Sequence, residues 1–161
     1  MNKTLSRVEG RDLIIERIFD APRELVFKVF SESEHLAKWW GPRGWETTNY
    51  KLDFSENGIW HFCMRSKEGH ESWGKATYKK INEPERIVYV DSFSDQHGNT
   101  IDTMPEMLVT LTFQALEEKT NLICRTQFVS EEALQKILDM GVVAGLTESW
   151  DCLDEYLQSI K

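Results

Sequence analysis

The apolar positions of this chain follow two periods, and the changes between them mark out the elements. Leu13-Ile-Ile-Glu-Arg-Ile-Phe19 reads as a strand. Leu25, Val26, Val29 and Phe30 then recur at helical spacing. Asp20 is placed to cap that helix, with Pro22 in the first turn, where a missing N–H costs little. A second short helix is expected from near Ser31 or Ser33 to the paired Trp39 and Trp40. Gly41-Pro42 ends it, because proline cannot continue a helix and disfavours the α region before it.

From Trp45 the period becomes two. Strands are expected over 45–53, 59–65, 71–82, 86–93, 107–116 and 121–128. Between them lie turn-forming or polar segments at 55–58, 66–70, 83–84, 94–105 and 117–120. Consecutive strands with short connections predict an antiparallel meander. Helix returns at Ser130, followed by Glu131 and Glu132 where the macrodipole favours acids. Gly141 and Gly145 are expected to weaken or kink this region, each costing about 1 kcal/mol relative to alanine in a helix interior. Val142, Leu146, Trp150, Leu153, Leu157 and Ile160 form one apolar stripe. Asp151, Asp154, Glu155 and Gln158 fall off it, so the acids from Glu148 to Glu155 read as a solvated face. The fold class is α+β, with this terminal helix laid on an antiparallel sheet, and the organisation is a single domain over 1–161.

One helix cannot fill the whole concavity of a wide, bent sheet. The remainder must hold side chains, water or a ligand, because interiors pack densely. Large apolar residues are plentiful, and small-molecule pockets are mostly apolar with few orienting polar groups. The cavity candidates are Trp40, Trp60, His61, Phe62, Met64, Tyr78, Tyr89, Leu146 and Trp150. His61, Tyr78, Tyr89, Arg65 and Arg125 could orient a ligand, although an aromatic on an alternating strand is core by default. Trp39 and Trp40, adjacent on a helix, project about 100° apart. Trp40, just before the bend, is expected at the mouth.

Composition narrows the function. With 161 residues the chain can bury about 70% of its unfolded surface, enough to fold without a metal or disulfide staple. A net charge of −8 argues against nucleic acid and anionic membrane surfaces as partners. No apolar run approaches the roughly 18 residues of a membrane span, and the first residues lack a signal-peptide pattern, so no membrane insertion and a cytoplasmic location are expected. Cys63, Cys124 and Cys152 are widely spaced and read as reduced thiols. His35, His61, His70 and His97 are scattered without a ligand motif, so neither a metal nor a cofactor is expected. His61, between apolar neighbours, could act as an acid or base if it faced inward. Asp91 with Arg86, or Glu71 with Arg65, could form cross-strand pairs. No nucleophile elbow, phosphate loop or dinucleotide fingerprint is present, so no catalytic residue is assigned. No feature assigns an oligomeric state.

Four segments carry a family resemblance: Val8-Glu-Gly through Trp45, Asn57-Gly-Ile-Trp-His-Phe-Cys-Met64, the run from Tyr78 to Tyr89, and Gly145 to Leu157. In order and spacing they resemble the AHSA1-like (Hsp90-ATPase-activator-homologue) branch of the START/polyketide-cyclase (SRPBCC) superfamily. The resemblance implies a helix-grip fold, an antiparallel sheet wrapped around a long C-terminal helix with an apolar cavity between them. It implies first the binding of a small hydrophobic or aromatic molecule there. The second implied reading is an interaction module for an Hsp90-type chaperone, resembling the C-terminal domain of its ATPase activators. Those activators carry a separate N-terminal domain, for which this chain has no room. The third is a cyclase- or hydrolase-like enzyme.

Overall fold

A computed structural model describes residues 3–161. The elements in order are β1 (Leu5–Glu9), β2 (Asp12–Phe19), α1 (Arg23–Ser31), α2 (Ser33–Trp39), β3 (Trp45–Leu52), β4 (Ile59–Ser66), β5 (Glu71–Asn82), β6 (Arg86–Phe93), β7 (Met107–Leu116), β8 (Lys119–Gln127), α3 (Glu131–Asp139) and α4 (Val142–Ile160). The strands form one sheet in the order β1-β2-β8-β7-β6-β5-β4-β3, antiparallel throughout. β3 to β8 are the expected meander, and β2 closes back on β8.

The sheet must curl. Leu13 of β2 and Met64 of β4 line one cavity although four strands separate β2 from β4. In a flat sheet that interval is about 24 Å, at roughly 4.8 Å per strand. The long helix α4 lies in the resulting trough. Its Trp150, Leu153 and Leu157 are buried with Leu13, Ile15 and Phe19 of β2 and Leu111, Phe113 and Leu122 of β7 and β8. Trp150 meets Phe19 edge-on at 5.8 Å. This is the helix-grip arrangement expected from the sequence. Among the described residues no helix is long and apolar enough to cross a membrane.

Several local expectations need correction. Asp20 does not cap α1. The Pro22 carbonyl accepts the N–H groups of Leu25 and Val26, and no side chain caps the helix. Asp20 instead pairs with Lys119 at 3.2 Å. The last hairpin is tighter than expected: Leu116 pairs with Lys119, and Glu117 adopts φ 58 to make the two-residue turn. β1 was not anticipated, because all five of its residues are exposed and no burial alternation betrays it. Ser130 does cap α3, accepting from the Ala133 N–H at 3.0 Å, and Gly141, at φ 84, separates α3 from α4.

The apolar stripe of α4 ends early, with Ile160 38% exposed. Its acidic face is not wholly solvated either: Asp154 is only 8% exposed. Leu13, Ile15, Arg17 and Phe19 share one face of β2, so Arg17 is carried under the helix. There its guanidinium donates to Asp151 Oδ1 at 2.6 Å and to Asp154 Oδ2 at 3.1 Å. A buried charge is unfavourable unless paired, and here α4 supplies the two carboxylates.

Candidate functional site

Beneath the first half of α4 lies a cavity of about 340 Å³, near the lower end of the ~300–1,000 Å³ range of small-molecule sites. β2, β7 and β8 supply its floor through Leu13, Ile15, Met107, Val109 and Cys124. β6 contributes Tyr89, Asp91 and Phe93, three positions in phase on one face. The end of α3 covers one side, and Val142, Gly145, Leu146 and Ser149 of α4 form the roof.

The void follows from how α4 is built. Its second half is anchored by the buried Trp150, Leu153 and Leu157, whereas Val142 and Leu146 are only half-buried. Gly145 offers the sheet no side chain at all. A Cβ built there would find its nearest neighbour, Pro42 Cγ, at 4.0 Å, so the space is open.

Trp40 closes the remaining side together with Met64 and the Gly41-Pro42 bend. Thr47 Oγ1 donates to the Trp40 carbonyl at 2.6 Å, and the Gly41 N–H donates to Ser149 Oγ at 3.1 Å. The indole of Trp40 rests edge-on against Trp60 at 4.7 Å and Phe62 at 5.8 Å. Trp39 turns into the core, where its Nε1–H donates to the Val29 carbonyl at 3.0 Å.

Of the residues singled out in the sequence, Trp40, Met64, Tyr89 and Leu146 line this cavity. Trp60, His61, Phe62, Tyr78 and Trp150 do not. Trp60 and Phe62 are in phase with Met64 but stand behind Trp40, and Trp60 Nε1–H donates to Asn49 Oδ1 at 2.8 Å. Tyr78 lies against Phe54, its buried hydroxyl without a partner among the described residues. Trp150 is taken up by Phe19. His61 is out of phase with Met64 and therefore points to the opposite face of the sheet. There it stacks on Trp73 at 5.3 Å and its Nε2–H donates to the Asp95 carbonyl at 3.1 Å. Neither proposed arginine reaches the cavity: Arg65 bonds Glu71 and Tyr50, and Arg125 pairs with Asp12 and Glu9.

Asp91 is the functional candidate that sequence reasoning missed. The expected cross-strand pair of Asp91 with Arg86 does not form among the described residues, whereas Arg65 and Glu71 do pair, at 2.7 Å. Its register neighbours are Ala76 on β5 and Met107 on β7, and neither offers a donor side chain. The carboxyl has no hydrogen bond or ion pair with any described residue. Burial pushes its pKa up to about 7. The readable signal was its phase, since it falls on the period-two repeat Ile87, Tyr89, Asp91, Phe93.

The other titratable groups on the cavity wall stay neutral. Burial, the largest cause, pushes the Cys124 thiol up to about 12 and the Tyr89 hydroxyl well above its ordinary value, with the Asp91 charge adding to both. Among the described residues no three His, Cys, Asp or Glu side chains form a group able to hold a metal ion. The chemistry available is therefore apolar contact, aromatic edges and one carboxyl group able to change charge near neutrality.

Comparison with solved structures places this architecture among bacterial proteins. A solution structure from Arthrobacter aurescens superposes with a TM-score of 0.90 at 27% identity, covering 98% of this chain and 91% of the other. One from Staphylococcus epidermidis gives 0.85 at 27% identity, covering 97% and 95%. A crystal structure from Mycobacterium smegmatis gives 0.86 at 25% identity, covering 95% and 94%. No curated protein matches the chain. The sequence model of the family described as activator of Hsp90 ATPase homolog 1-like protein matches residues 20–158. That span takes in both short helices, the meander and nearly all of the gripping helix, and on it the chain belongs to the activator of Hsp90 ATPase homolog 1-like family.

Proposed function

We propose that this protein binds a small hydrophobic or aromatic molecule in the cavity between the sheet and α4. The observation that carries the reading is the void beneath Gly145 and Leu146, walled almost entirely by apolar side chains. Burying an apolar ligand there removes its surface from water at about 25 cal/mol per Å², without first opening a packed core.

The test is a fluorescence titration with lipids, flavonoids and polyketide-like aromatics, comparing the protein with its Trp40→Phe variant. Saturable changes that diminish when Trp40 is replaced are expected. Absence of any saturable response across the panel overturns the reading. A second reading, an interaction module for an Hsp90-type chaperone, draws support from the family match. Its measurement is a pull-down and ATPase assay with that chaperone, and no binding with no stimulation ends it.

A further inference from the structure

We propose that the molecule this cavity selects is a small apolar amine, its single protonated nitrogen held by the Asp91 carboxylate. The inference rests on the ligand-binding reading above and adds the chemistry of the ligand. Asp91 presents a carboxyl to a mostly apolar wall and has no hydrogen-bond or ion-pair partner among the described residues. Asp91 is half-buried, and a charge held among apolar side chains without a partner is unfavourable, so an occupant that supplies a cation there gains more than one that supplies only apolar surface. The Coulomb attraction is also stronger in such a site than in water.

The rest of the wall supports a cation rather than an anion. The titratable groups facing the cavity with Asp91 are Tyr89 on β6 and Cys124 on β8; the lining positions of β2, β4, β7, α3 and α4 bring none. No lysine, arginine or histidine lines it, so a carboxylate ligand would meet the charge of Asp91 with nothing to offset it. The hydroxyls of Ser149 and Thr126 bring polarity to this wall but no charge. Trp40, Tyr89 and Phe93 stand on the same wall, and the face of an aromatic ring attracts a desolvated cation. The ammonium enters already protonated, and where Asp91 holds a proton that proton passes to solvent as the ion pair forms.

Four probes of one shape separate the contributions: naphthylmethylamine, naphthylmethanol, methylnaphthalene and naphthoate. Calorimetric titration at pH 7.5 is expected to show the amine binding about tenfold or more tightly than the alcohol and the hydrocarbon, and naphthoate binding least. In Asp91→Asn the advantage of the amine should vanish while the hydrocarbon binds as before. Equal affinities of amine and alcohol for the unaltered protein, or an amine preference that survives in Asp91→Asn, would overturn the assignment to Asp91 while leaving a hydrophobic cavity in place. Failure of all four probes to bind would instead remove the ligand-binding reading, and this inference with it.

Discussion

Arg17 of β2 and Asp154 of α4 meet at 3.1 Å inside the protein, with Asp151 one turn earlier completing the grip at 2.6 Å. The guanidinium carbon also stands 5.2 Å from the centre of the Phe19 ring. This cluster holds the second half of α4 against the sheet and so leaves the first half free to roof a cavity. Removing one member of such a buried pair strands the other charge. Arg17→Met should therefore destabilise the protein by ~3–5 kcal/mol in urea unfolding, and Arg17→Met with Asp154→Leu should recover a large part of that loss. Independent, additive effects of the two substitutions would show that the pair does not act as a unit.

Gly74 sits across from Phe62, whose ring covers it. A Cβ at that position would lie 2.5 Å from Phe62 Cζ. Gly74→Ala is expected to cost about 1–3 kcal/mol by overpacking, and Phe62→Leu in the same chain should relieve part of it. Thermal unfolding of the single and double variants measures the coupling.

Gly145 carries the opposite prediction. Its surroundings are open and its backbone is helical, so Gly145→Ala should stabilise the protein by roughly 0.5–1 kcal/mol through helix propensity. Gly145→Leu should fill the cavity and weaken binding of any apolar probe. A gain in stability together with a loss of affinity would identify this glycine as the residue that keeps the space open. Unchanged affinity in Gly145→Leu would contradict that role.

Asp91 makes stability depend on pH. Its carboxyl rises from an ordinary 3.8 to about 7 in the folded chain. The folded state therefore holds a proton that the unfolded state has released, and this contribution to stability is lost as pH climbs from roughly 4 to 7. The shift bounds the effect at about 4 kcal/mol, and water in the cavity reduces it. Asp91→Asn should flatten this part of the profile and raise the melting temperature above pH 7. A profile unchanged by the substitution would place the titration elsewhere.

Much of the fold was legible because alternation and helical spacing are local. The strands expected over 71–82, 86–93 and 107–116 have the bounds of β5, β6 and β7, and helix returns at Ser130 as the spacing predicts. β1 escaped because an exposed edge strand carries no alternation, and Asp20 is no cap because α1 starts at Arg23 with Pro22 in the cap position, two residues past Asp20. For the site, phase along each strand sorted the candidates. Met64 faces the cavity and His61, one residue out of register, faces away. Trp60, Phe62, Tyr78 and Trp150 were expected to line the cavity, and each was absorbed by an aromatic neighbour. Sequence spacing does not report that competition.

Periodicity and turn residues settled an antiparallel meander with a terminal amphipathic helix, because each acts over a few residues through backbone sterics and hydrogen bonds. Curl of the sheet, the half of α4 that grips it, the burial of Arg17 and the solitude of Asp91 came from contacts between residues as far apart as β2 and α4. Those contacts depend on how side chains from distant segments share one volume and one dielectric, a property of the packed whole that no local pattern encodes.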